Sequence, residues 1–231
     1  MNNNEYSKNN RFDMLHENIN ITEKYITDIV NNNKDQLQKC LDFMDTLVIP
    51  SGDSISRSDV AFLQAVCLED NPNAIMEIGT WVGTSAYAMT VASEAEVYTC
   101  DLGDNVFVDI EEYSNRIHLH PNTHSDVFLK KELPKFDMVF VDGFHTDAKS
   151  IFDACEDSFT LVVHDYFNVD TLDPCKGMSV IWRISEYARN NNYTYNMYPT
   201  SRDWIPAGYP VFGFGGVNAS CGMIKVRKTY G

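Results

Sequence analysis

The chain has 231 residues, of which 44% are apolar and 22% charged, and its formal net charge is −15. This composition is typical of a globular protein and excludes a fibrous or wholly disordered chain. A strongly acidic chain repels a phosphate backbone, so we expect no nucleic-acid partner.

No apolar run is long enough to cross a bilayer, and the first residues lack the pattern of a signal peptide. The six cysteines are scattered, and none of them forms a C-x-x-C pair. We therefore expect a cytoplasmic protein with free thiols and without a membrane contact.

The N-terminal part is predicted to be a helical extension that covers residues 1–72. Apolar residues follow helical spacing from residue 12 to about residue 47, with a joint at 31–33. A further helix, capped by Ser56 or Ser58, ends near residue 71. The apolar faces of these helices suit either a lid over a site or the interface of a homodimer.

The sequence pattern changes at residue 73, where short apolar strands begin to alternate with predicted helices. Strands are predicted at 74–79, 96–101, 116–120, 136–143, 159–165 and 221–227. Helices are predicted at 84–93, 147–157 and 178–190, and a long ordered loop at 200–219. The alternation predicts a buried parallel sheet in an α/β fold, with residues 73–231 forming the core of one compact domain.

Acidic residues stand at the carboxyl ends of several predicted strands. Asp101, Asp142 and Asp165 each end a strand, and Glu77 lies near the end of the first. Ligands of open α/β sheets bind beyond these strand ends, so the pattern predicts a binding site along one edge of the sheet.

The loop after the first strand is suited to a ligand. Gly79 and Gly83 allow a tight turn, and the N–H groups at 83–85 can hold an anion. Asp101, after the second strand, can accept the two hydroxyls of a ribose. The loop lacks the G-x-G-x-x-G spacing, which makes a nicotinamide oxidoreductase the weakest alternative.

Four motifs in order resemble a known family: E-I-G-T-W-V-G-T-S, Y-T-C-D, F-D-M-V-F-V-D-G-F-H and L-V-V-H-D-Y. Over about residues 74–190 the chain resembles the class I S-adenosylmethionine-dependent methyltransferases. It is most similar to small metal-dependent O-methyltransferases with V-D-G-x-H and H-D-Y motifs. The resemblance implies a Rossmann-like seven-stranded sheet, helices on both faces, and a reversed last strand at 221–227.

The resemblance also implies a binding site for S-adenosyl-L-methionine. Glu77 would lie near its methionine end, Asp101 on the ribose and Asp126 near the adenine. Trp81 departs from the family, which usually has glycine there. The implied cofactor-binding residues are Glu77, Gly79, Thr80, Gly83, Ser85, Asp101, Asp126 and Asp142.

Asp142 and Asp165 offer hard oxygen ligands, which suit Mg²⁺, Mn²⁺ or Ca²⁺, and metal-dependent relatives place ligands at these strand ends. Asn168, His164 and His145 are alternatives for the third ligand. In the other interpretation no metal binds, Asp142 holds the cofactor's amino group and Asp165 caps a turn. His145 is either a general base or a structural histidine.

We therefore expect an S-adenosylmethionine-dependent O-methyltransferase that transfers a methyl group to a hydroxyl of a small molecule. One alternative keeps the fold but consumes the cofactor as a hydrolase or lyase, or methylates nitrogen. Another is a non-catalytic cofactor-binding module, because a fold does not determine a function.

Overall fold

Seven β-strands form one mixed sheet in the computed structural model, which describes residues 25, 28–44, 55, 57–103, 115–143, 147–164, 176–198 and 221–229. The strands are β1 (Ala74–Ile78), β2 (Glu96–Cys100), β3 (Ile117–His120), β4 (Phe136–Val141), β5 (Cys155–Val163), β6 (Tyr193–Tyr198) and β7 (Gly222–Lys228). Their spatial order is β3-β2-β1-β4-β5-β7-β6.

Strands β1 to β5 are parallel, whereas β7 runs antiparallel to both β5 and β6. The predicted α/β fold with a reversed last strand is therefore confirmed. The chain moves outward from β1 to β3, then returns to the other side of β1 for β4. This reversal of strand order creates a crevice between the ends of β1 and β4, where ligands of such sheets bind.

Helices cover both faces. They are α1 (Lys34–Met44), α2 (Arg57–Asp70), α3 (Thr84–Ala92), α4 (Ser125–Phe128), α5 (Ala148–Ala154) and α6 (Lys176–Asn190). The first three share one apolar layer with the sheet, while α5 and α6 share the layer on the opposite face. Helix α3 has Ala86 and Ala88 fully buried among these elements, which explains its run of small residues.

The structure differs from the sequence prediction at α4, which was not predicted, and at α5 and β6. Helix α5 ends at Ala154 and β5 begins at Cys155, so the predicted helix is too long at its C-terminal end. Strand β6 was not predicted at all. It is an edge strand in which exposed Thr194 and Asn196 alternate with Tyr193 and Tyr195, which pack against the core. This alternation is the sequence signal that could have predicted the strand.

Five cysteines lie in the described ranges, and all five are free and buried, as expected (Cys40, Cys67, Cys100, Cys155 and Cys221). Across the described residues we find no helix of the length and hydropathy needed to cross a membrane.

Candidate functional site

The loop between β1 and α3 turns sharply at the crevice. Gly79 has a φ of +99°, and an added Cβ there would lie 2.8 Å from the carbonyl carbon and oxygen of Asp142. The Gly79 N–H donates to Cys100 O at 2.9 Å, and the Asp142 N–H donates to Ile78 O at 2.8 Å. Glycine is therefore required here, because the ends of β1 and β4 approach too closely for a side chain.

Trp81 occupies the same loop with a φ of +45°. Its side chain is 43% exposed, so the loop accommodates the indole outside the turn. Its backbone N–H donates to Asp101 Oδ2 at 2.8 Å. Gly83, with a φ of 83°, then caps α3, and its N–H donates to Thr80 O at 2.7 Å.

Glu77 lies under this loop and has no exposed surface. Ser85 Oγ donates to its Oε1 at 2.5 Å, and the Thr99 hydroxyl donates to its Oε2. Thr80 and Thr99 share a hydrogen bond of 2.5 Å between their hydroxyls. Glu77, Thr80, Ser85 and Thr99 thus form a buried network, which we call the Glu77 network, that ties the loop to β1, β2 and α3.

Burial raises the pKa of Glu77 to about 8. The hydrogen bonds from Ser85 and Thr99 act in the opposite direction, and the nearby carboxylates of Asp142 and Asp101 raise the pKa further. At neutral pH the Glu77 carboxyl group is therefore protonated in a large fraction of the molecules.

Asp101 is partly exposed at the end of β2. Besides Trp81, its side chain accepts the Gly103 N–H at 2.8 Å, and its backbone oxygen accepts the Thr123 N–H at 2.7 Å. The last contact brings the segment after β3 to the same edge. Asp126 follows in α4, with a 59% exposed side chain 3.5 Å from His124 Nδ1.

Asp142 follows β4, and its carboxylate contacts His164. The His164 Nδ1 lies 3.0 Å from Asp142 Oδ1, and its Nε2 lies 3.3 Å from Asp59 Oδ2 on α2. Burial alone lowers the pKa of His164, but the two carboxylates outweigh it and raise the pKa to about 10. With an acceptor at each ring nitrogen, the geometry suits an imidazolium that donates to both.

Two predicted residues, His145 and Asp165, lie outside the described residues, as does the alternative ligand Asn168. Within the described ranges no group of three or more His, Cys, Asp or Glu side chains is arranged to hold a metal ion.

Sequence reasoning missed two residues of this edge. Thr99 is a buried hydroxyl in β2, and a polar residue inside an apolar strand is the signal that could have found it. Asp59 left no signal, because an acid in the first turn of a helix is ordinarily explained by the helix dipole.

Comparison with known proteins agrees with this geometry. A family profile described as a methyltransferase domain matches residues 76–166, from β1 to just beyond β5. No curated protein matches the chain. The matched segment contains the crevice and every strand end that carries a candidate acid.

Solved structures share the fold at low sequence identity. An O-methyltransferase from Bacillus cereus in complex with SAH has a TM-score of 0.56 and 15% identity, covering 93% of this chain and 99% of that one. An O-methyltransferase from Streptomyces achromogenes involved in tomaymycin synthesis, in complex with SAM, has a TM-score of 0.53, 16% identity and coverages of 81% and 95%. An SAH-bound methyltransferase from Podospora anserina has a TM-score of 0.54, 16% identity and coverages of 85% and 88%.

Residues 76–166 match a methyltransferase domain. The described sheet and its helices have the fold of solved methyltransferases that bind SAM or SAH.

Proposed function

We propose that the protein is an O-methyltransferase that uses S-adenosyl-L-methionine to methylate a hydroxyl of a small molecule. The observation that carries the proposal is the crevice itself. There the glycine turn at Gly79, the strand-end carboxylate of Asp101 and the carboxylate of Asp142 share one sheet edge at the reversal of strand order. Two of the solved structures with this fold are O-methyltransferases, which supports oxygen as the atom that accepts the methyl group.

When bound, S-adenosylmethionine supplies an electrophilic methyl group. The residues at the crevice fit such a molecule, because Gly79 brings bare backbone to the edge and Asp101 presents a partly exposed carboxylate for ribose hydroxyls. We assign Asp126 to the adenine side, and the Glu77 network to holding the loop in place from within. Methyl transfer depends mainly on such positioning of the reactants.

We further propose that Asp142 and Asp165 hold a divalent cation, for which Mg²⁺ is the first candidate. Asp142 is suited because its side chain is a carboxylate with 22% exposure at the end of β4, and β5, which leads to Asp165, is the neighbouring strand. When bound, the cation would dock the acceptor oxygens and lower the pKa of the hydroxyl. We assign the acceptance of the hydroxyl proton to His145.

The free thiols of the described cysteines are consistent with a reducing compartment, and we place the protein in the cytoplasm.

The cofactor assignment is tested by calorimetric titration with S-adenosylhomocysteine. We expect binding to the wild type, no binding of NAD, and a loss of about 1–3 kcal/mol in Asp101→Ala, since a hydrogen-bonded charged group is removed. Asp157→Ala, an exposed aspartate on β5, is the matched control and should bind as the wild type does. Equal affinity in both variants would remove Asp101 from the site.

The metal and the base are tested with radiolabelled S-adenosylmethionine and 3,4-dihydroxybenzoic acid as a probe acceptor. A chelator should abolish transfer and Mg²⁺ should restore it, while Asp165→Asn should weaken the Mg²⁺ response and leave S-adenosylhomocysteine binding nearly intact. His145→Ala should lower turnover by roughly 10²–10⁴-fold.

Full transfer after exhaustive chelation would contradict the metal assignment. Near-normal turnover of His145→Ala would contradict the base. Analysis of the labelled product separates O-methylation from N-methylation and from hydrolysis or lysis of the cofactor.

A further inference from the structure

Helix α2 precedes the part of the chain that the methyltransferase profile matches, yet it contributes a side chain to the candidate site. Asp59, in the first turn of α2, lies at the carboxyl ends of the strands, and its side chain is 2% exposed. A carboxylate buried to this extent requires a polar partner. His164, at the end of β5, is such a partner.

The position of His164 is determined by the sheet. Its backbone N–H donates to Val141 O at 2.9 Å, which extends the pairing of β5 with β4 by one residue. The side chain therefore leaves the sheet next to Asp142. Because alternate residues of β5 face α2, as Thr160 and Val162 do, the imidazole lies between the helix and Asp142.

The two contacts of the ring determine its orientation. Nδ1 lies 3.0 Å from Asp142 Oδ1 and Nε2 lies 3.3 Å from Asp59 Oδ2. A histidine held at only one nitrogen can still turn about its side-chain bonds, whereas one held at both cannot. The imidazole thus links the Asp142 carboxylate to a residue of α2.

We propose that Asp59 is a positioning residue, which acts through His164 to hold the Asp142 carboxylate in the orientation that cofactor binding needs. The proposal rests on the proposed function, because it gives Asp142 a role at the cofactor. It makes the N-terminal helical region a working part of the site.

The test compares three variants by calorimetric titration with S-adenosylhomocysteine. Asp59→Ala removes the acceptor, and we expect its affinity to fall by about tenfold, the low end of the effect typical of residues that orient a binding side chain. Asp59→Asn keeps an acceptor oxygen and should recover most of that affinity. Asp70→Ala is the matched control, since Asp70 ends the same helix and binds Lys225 and Thr160 instead; it should bind as the wild type does.

Spectra of protein labelled with ¹⁵N-histidine test the bridge independently of any ligand. We expect two protected ring N–H signals that are absent from His164→Gln, and we expect Asp59→Ala to lose the Nε2–H signal while Asp70→Ala keeps both.

An Asp59→Ala variant that binds S-adenosylhomocysteine as tightly as Asp70→Ala, or that keeps both ring signals, would overturn this inference alone. If the wild type itself does not bind S-adenosylhomocysteine, the proposed function fails and the inference fails with it.

Discussion

Glu77 is a carboxyl group inside a sheet, and its surroundings decide its chemistry. A charged carboxylate without solvent is costly, so burial favours the protonated form and raises the pKa to about 8. The hydroxyls of Ser85 and Thr99 each donate a hydrogen bond to one of its oxygens, and these bonds reduce the cost of burying the group. Because these hydroxyls belong to α3 and β2, the same contacts hold the loop at the crevice.

The raised pKa predicts a pH-dependent stability. In the unfolded chain the pKa of Glu77 is the ordinary glutamate value of 4.5, so between pH 4.5 and about 8 the folded state binds more protons than the unfolded state. Stability from this group is complete below pH 4.5 and is lost as the pH rises toward 8. Urea unfolding at pH 5.5 and pH 8.5 should show the higher stability at pH 5.5.

Glu77→Gln is the control for this prediction. The amide keeps the shape and does not titrate, so the difference between the two pH values should shrink by the contribution of Glu77. An unchanged difference would show that other groups cause the pH dependence.

At the scale of elements, α2 is attached to the sheet at both of its ends. Asp59 contacts His164 near its beginning, and Asp70 at its end accepts from Lys225 on β7 at 2.5 Å and from Thr160 on β5 at 2.6 Å. Between these contacts the helix packs against α3 through buried apolar residues such as Phe62 and Leu63, and Gln64 Nε2 donates to Ala88 O on α3 at 3.3 Å. The polar contacts therefore specify the position of a helix whose burial is driven by its apolar residues.

The contact at Asp70 is predicted to contribute measurably to stability. Asp70→Ala should lower the free energy of unfolding by about 1–3 kcal/mol, because Lys225 and Thr160, both at least partly buried, lose their acceptor. The Asp157–Lys228 pair joins the same two strands at exposed positions, with side chains 49% and 41% exposed. Asp157→Ala should therefore cost less than about 1 kcal/mol.

Urea unfolding of both variants measures the difference. If Asp70→Ala and Asp157→Ala lose the same free energy of unfolding, the buried contact of Asp70 is no stronger than the exposed Asp157–Lys228 pair.

At the scale of the whole molecule, the predicted division at residue 72 does not coincide with a division of the core. Phe62 and Leu63 of α2 are fully buried in the same apolar layer as Ala86 of α3 and Val162 of β5. Helices α1 and α2 therefore belong to the layer that covers one face of the sheet, as a two-sided α/β sheet requires.

Residues 73–231 alone should consequently fail to fold to a stable state, because the α2-facing surface of the sheet would be exposed to water. Circular dichroism and proton NMR dispersion of that fragment measure this. A cooperative unfolding transition like that of the full chain would contradict the prediction.

A pair of phenylalanines provides the point-substitution control for this layer. Phe62→Ala should cost about 3–5 kcal/mol, whereas Phe43→Ala on α1, where the side chain is 47% exposed, should cost much less.

The sequence by itself determined the features that depend on local patterns. The short apolar runs that became β1, β2 and β4, and the acids that follow them, could be predicted because a buried strand has a characteristic composition and its end has a known place in the fold. The glycine turn at Gly79 was also visible, because a left-handed conformation selects for glycine.

Only the tertiary structure decided which groups meet. Asp59 and His164 are 105 residues apart, and nothing in either local sequence specifies their contact. The burial of Glu77, and hence its raised pKa, requires Thr99 and Ser85 from two other elements. Strand β6 lies at the sheet edge and pairs with β7, a partner that its local sequence does not specify. Local sequence thus encodes strands and their ends, whereas partners and burial arise from contacts between distant segments.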